Sequence, residues 1–216
     1  MVDKIILDAV KKYTEKFSSI LLFGPPGSGK NMLGNFLNNA GSQVHLSLGE
    51  IFRSYPTESL IRQFFHKYAF AGLLIPDDDV VTIWKYYVQG LIATGRFSPD
   101  RQDLVLDGLP RTVKQAELLE NYLLVRHIIV LEVRDEQELL TRTRKLIHDR
   151  GIVEDMNIDV LKRRLDNYHR EITGLLSFYP SHLISRVKAD QKPIEVLRDV
   201  MVKLAHVLAN PGQKYG

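Results

Sequence analysis

The sequence predicts an α/β protein built on a doubly wound, five-stranded parallel sheet. Three observations lead there. Continuous apolar runs at Ile20–Phe23, Leu104–Leu106 and Ile128–Val133 suit strands buried on both faces. Helical patterns lie between and beyond them, at Asn31–Asn39, Thr57–Ala71, Asp77–Thr94, Thr112–Leu123, Glu136–His148, Asp159–Tyr179 and Pro193–Leu208. A glycine-rich loop, Gly24-Pro-Pro-Gly-Ser-Gly-Lys30, joins the first strand to the helix after it. Weaker strand patterns at Val44–Leu46 and Ile184–Val187 complete the five. Strands alternating with helices imply βαβ units, whose crossovers are almost always right-handed.

Before the first strand, Val2, Ile5, Ile6, Ala9, Val10, Tyr13 and Phe17 recur at helical spacing, with lysines between them. Residues 1–18 are therefore expected to form an amphipathic helix packed on the main domain, residues 19–209 that domain, and the polar residues 210–216 a tail. The 216 residues carry 44% hydrophobic and 25% charged side chains, an ordinary globular balance. Cysteine is absent, which excludes disulfides, thiolate zinc sites and a cysteine nucleophile. A net charge of +3 fits phosphate-bearing ligands but is too small to argue for nucleic acid. No apolar run reaches the roughly 18 residues of a membrane span, and no signal peptide is evident. A cytoplasmic, monomeric protein is expected, with no nucleic acid or membrane partner.

The glycine-rich loop has the pattern that winds main-chain N–H groups around a phosphate, with the next helix presenting its positive end. Gly24, Pro25, Gly27, Ser28, Gly29 and Asn31 are the expected triphosphate contacts, with Lys30 reaching the β- and γ-phosphates. The general motif continues with Ser or Thr, whereas Asn31 and Met32 follow here. Asp107 ends the strand at Leu104–Leu106, where ligands of open α/β sheets bind, and is the candidate to hold hydrated Mg²⁺.

These segments, with three others, resemble the adenylate kinase family of nucleoside monophosphate kinases. Gly24–Lys30 is similar to the family's phosphate loop, and His45-Leu-Ser-Leu-Gly-Glu-Ile-Phe-Arg53 to its S-T-G-D-x-L-R segment. Gly72-Leu-Leu-Ile-Pro-Asp77 resembles the end of its monophosphate-binding insert. Asp107-Gly-Leu-Pro-Arg-Thr-Val-Lys-Gln-Ala116 resembles D-G-F-P-R-T-x-x-Q-A, the most specific match. The resemblance implies a P-loop fold with a monophosphate-binding insert at about 47–76 and a short lid at about 144–156. It implies ATP and a monophosphate, most readily AMP, as substrates, and Mg²⁺ as cofactor.

By the same resemblance Arg53 and Arg111 grip the acceptor phosphate, Gln115 meets the acceptor base, and Leu48, Leu74, Ile75 and Gly108 complete the acceptor site. Relatives selective for UMP and CMP carry Asn where Thr112 and Gln115 stand, which favours AMP. Leu48 replaces a threonine beside the acceptor and leaves a UMP- or CMP-preferring kinase open. Arg142, Arg144 and Arg150 are the expected donor-side and lid arginines, with Glu154 and Asp155 as the lid's acidic pair. Leu146 and Ile152 stand where family arginines are expected. Together with Asn31, Met32 and Leu48 they leave open a weakly active or inactive nucleotide-binding module. On the following helix Arg164 lies beside the apolar stripe of Leu161, Leu165 and Tyr168, whereas Arg163 points away, so Arg164 is the expected catalytic arginine alongside Lys30, Arg111 and Arg150.

Overall fold

The computed structural model describes residues 16–135, 137, 139–144 and 157–209. The predicted N-terminal helix, the lid and the tail lie outside the described residues, except as noted below. Five strands form one sheet: β1 (Phe17–Phe23), β2 (Gln43–Ser47), β3 (Asp103–Asp107), β4 (Leu123–Glu132) and β5 (Ile184–Lys188), in the order β2-β3-β1-β4-β5. Every pairing is parallel. The helices are α1 (Lys30–Ala40), α2 (Leu48–Arg53), α3 (Leu60–Ala69), α4 (Asp77–Ala93), α5 (Val113–Leu119), α6 (Ile158–Phe178) and α7 (Pro193–Leu208). Residues 139–144 are also helical.

Alternate residues of the central strand serve two cores. Leu21 and Phe23 pack with α4 and α6 on one face, through Val80, Trp84 and Leu175. Ile20 and Leu22 pack with α1 and α7 on the other, through Leu33, Leu37, Val200 and Leu204. That division is why the strands read as continuous apolar runs rather than as alternating ones.

Sequence and structure differ at the edges. Phe17 and Ser18, assigned to the N-terminal helix, open β1 instead, because Phe17 pairs with Leu123. Leu123 in turn begins β4 rather than ending the preceding helix. Leu48–Arg53 forms a short helix that no periodicity in the sequence signals. The pairing of β1 with β4 shifts between Ser19 and Ile20, opposite Val125 and His127. Arg126 falls in that bulge, is 4% exposed, and donates to Asp103 Oδ1 at 3.2 Å. Ser18 donates to the same oxygen at 2.5 Å. This buried ion pair lies at the start of the strands, the end of the sheet opposite Asp107.

Candidate active site

The register of the sheet sets Leu22 of β1 and Ser47 of β2 on either side of Asp107 of β3. A cleft of about 340 Å³ opens beyond these strand ends. Placement at the carboxyl ends of parallel strands is the expected position for a ligand in a sheet of this kind.

At one end lies the phosphate loop. Gly27 has φ +80°, and a Cβ there would run into Thr143 Oγ1, so the loop can close against the helical stretch at 139–144 only with glycine at this point. Gly29, at φ +98°, is the N-cap of α1. No side chain caps that helix end and no acidic residue sits in its first turn. Its N–H groups and positive dipole end therefore face the cleft for an anion. Lys30 donates to Gly24 O at 2.8 Å and Pro25 O at 2.9 Å, its ammonium folded over the space the loop encircles. Burial lowers its pKa below the ordinary lysine value; the field of Asp107 opposes that shift and Arg111 adds to it.

Gly24, Gly27, Gly29, Lys30 and Asn31 line the cleft, as expected, and so does Asp107, itself 8% exposed. Pro25 and Ser28 do not line it; Pro26 does, and Pro25 serves through its carbonyl. Met32 also lines the cleft and is 43% exposed, and Asn31, directly after Lys30, stands where the general motif offers a hydroxyl. Asn31 instead reaches across to α2, donating to Glu50 Oε1 at 2.6 Å.

At the other end lie the residues expected to hold the acceptor. Leu48, Arg53, Leu74, Ile75, Gly108, Arg111 and Gln115 all line the same cleft. Arg53 ends α2, directly after β2, and its guanidinium covers Gly49. The Arg111 side chain donates to Gly108 O at 2.9 Å. Gln115 is 2% exposed; its Oε1 accepts from the Arg111 main-chain N–H at 2.7 Å and its Nε2 donates to Asp77 Oδ1 at 2.8 Å. Thr112 caps α5 by accepting from Gln115 N, and donates to the same Asp77 oxygen at 2.9 Å.

A third wall is α6. Arg164 lines the cleft and donates to Ala69 O at 3.1 Å. Arg163, expected to point away, instead donates to Ala71 O at 3.0 Å, and Asn167 donates to Gly72 O at 2.9 Å. Three side chains of one helix thus grip the main-chain carbonyls of Ala69, Ala71 and Gly72 after α3. The expected orientation of Arg163 fails because a long guanidinium stem can bend back along the surface to a nearby acceptor. Tyr168, also in the cleft wall, has its phenol pKa pushed up to about 12, first by burial and then by Glu132.

Arg142 and Arg144, expected on the donor side, do not line the cleft. Arg142 donates to Ala189 O at 2.7 Å, and Arg144 is exposed; Thr143 between them lines the cleft. Leu146, Arg150, Ile152, Glu154 and Asp155 lie outside the described residues. No local motif marks Phe65, Tyr68 or Asn167, which meet the cleft through long-range packing, or Asp77, which stands behind it on Gln115 and Thr112.

A family model described as adenylate kinase matches residues 22–184. An adenylate kinase of Porphyromonas gingivalis is 31% identical over 169 residues, which span 74% of this chain and 81% of that protein. An adenylate kinase of Flavobacterium psychrophilum is 28% identical over 199 residues, 86% of this chain and 99% of that protein. One from Ureaplasma parvum is 36% identical over a shorter 125 residues, 57% of this chain and 55% of that protein.

Proposed function

The chain belongs to the adenylate kinase family and is a nucleoside monophosphate kinase, and on that premise we propose that it carries the γ-phosphoryl group of ATP to AMP, giving two molecules of ADP. The observation that supports this reading is one cleft lined both by Lys30 and the uncapped start of α1 and by Arg53, Arg111 and Gln115. Two sets of phosphate-binding groups on one cleft suit transfer between two nucleotides.

In this reading the loop's N–H groups and Lys30 hold the triphosphate, and Arg53 and Arg111 hold the acceptor phosphate through paired guanidinium contacts. Arg164 exchanges its bond to Ala69 for the transferring group, with Arg142, Arg144 and Arg150 assisting from the lid side. The insert at residues 47–76 and the lid at residues 144–156 exclude water during transfer. Transfer in line needs no general base, because the acceptor phosphate is already largely ionised near neutral pH. Positioning and the neutralisation of spread charge carry the catalysis.

A magnesium ion fits the donor end. Asp107 brings a carboxylate into the cleft at a strand end, and the described residues contain no His, Asp and Glu cluster that would cage a metal by themselves. That donor set suits an ion held mainly by phosphates and water, with Asp107 binding through water. When bound, the ion would neutralise charge shared by the β- and γ-phosphates. Among the described residues no helix is long and apolar enough to cross a membrane. The expectation of a cytoplasmic monomer belongs to this proposal as well.

Incubation with MgATP and AMP, UMP, CMP or GMP in turn, with diphosphate formation as readout, tests the assignment. AMP should be the best acceptor by about tenfold or more. Faster turnover of UMP or CMP would overturn it in favour of a pyrimidine monophosphate kinase.

A further inference from the structure

The hydrogen bonds around Gln115 fix which way round its amide stands. Asp77, the first residue of α4, comes 38 residues earlier in the chain, yet its Oδ1 accepts from Gln115 Nε2 at 2.8 Å. On the other side Gln115 Oε1 accepts from the Arg111 main-chain N–H at 2.7 Å. A carboxylate oxygen can only accept, and a main-chain N–H can only donate. Turning the amide over would set acceptor against acceptor and donor against donor, with the side chain too buried for water to repair the loss. Thr112 holds Asp77 in place with a hydroxyl donated at 2.9 Å.

One N–H and one oxygen lone pair of this amide remain for a ligand in the cleft. Adenine offers an acceptor at N1 beside a donor at its 6-amino group, whereas a 6-oxo purine offers a donor at N1 beside an acceptor at O6. An amide free to turn serves either edge; a locked one serves only one. From this we propose that Asp77 is a positioning residue that sets acceptor specificity, making the site select 6-amino over 6-oxo purines by locking the direction of the Gln115 amide. The proposal rests on the reading of Gln115 as the residue that meets the acceptor base. The 4-amino and 4-oxo pyrimidines present the same two orders, so the lock separates CMP from UMP in the same sense.

AMP and IMP differ only in the 6-substituent and the N1 proton, which makes their ratio of kcat/KM the readout. The wild type should favour AMP by about a hundredfold or more. In Asp77→Ala that ratio should fall at least about tenfold while KM for ATP stays within about twofold. Asp77→Asn, whose carbonyl oxygen can still accept from both Gln115 and Thr112, should restore most of it. If Asp77→Ala does not fold, Asp77→Ser is assayed instead, since its shorter side chain falls short of Gln115 and predicts the same loss of ratio. A parallel loss of AMP and IMP turnover, with the ratio unchanged, would show that Asp77 only holds α4 to α5, and would overturn the proposal alone. An Asp77→Asn enzyme as unselective as Asp77→Ala would do the same. A wild type that uses AMP and IMP equally would overturn the reading of Gln115 and this proposal with it.

Discussion

Around Lys30 the cleft presents main-chain N–H groups and one lysine, whereas around Gln115 it presents side chains that are themselves held by other side chains. The phosphate loop makes its contacts from Gly24 to Lys30, and Lys30 rests on its own loop's carbonyls. Gln115, by contrast, is held by Asp77 and by the Arg111 main chain, and Asp77 by Thr112. Main-chain recognition depends little on the identity of neighbouring side chains. This explains how Asn31 and Met32 can stand after Lys30 without dismantling the loop, and why the motif from Asp107 to Ala116 keeps its polar residues.

The largest way to break this contrast is Lys30→Met, which removes the donor end's one reaching side chain. It should lower kcat by about 10³-fold, measured in the forward reaction at saturating AMP. A smaller effect sharpens the contrast from the other direction. Met32→Thr places a hydroxyl two residues after Lys30 and should raise kcat by up to about tenfold; an unchanged or lower rate would show that a hydroxyl there does not limit transfer.

The same contrast governs what could be read from the sequence. The phosphate loop and the Asp107–Ala116 segment were legible because local spacing carries their geometry: a strand, a turn with glycine, then a helix. The grip of Arg163, Arg164 and Asn167 on the insert was not, because its partners Ala69, Ala71 and Gly72 lie more than ninety residues away and accept through carbonyls that every residue possesses. Asp77 was read only as the end of the insert; its bond to Gln115 depends on how α4 packs on α5. The Arg126 and Asp103 pair had no signature either, since a bulge in β4 turns Arg126 inward. Of the donor-side arginines, Arg142 was placed on the right helical stretch, but its bond to Ala189 O is a contact between distant segments.

On the proposed reading, the acceptor is read by a fixed side-chain amide and the donor by main chain and Lys30. Measuring KM for AMP and for ATP in Gln115→Leu and Asn31→Ala tests it most directly. Gln115→Leu should raise KM for AMP by about tenfold or more and leave KM for ATP within about twofold, while Asn31→Ala should move KM for ATP by less than about threefold. A Gln115→Leu enzyme with an unchanged KM for AMP, or an Asn31→Ala enzyme that loses ATP binding, would contradict it.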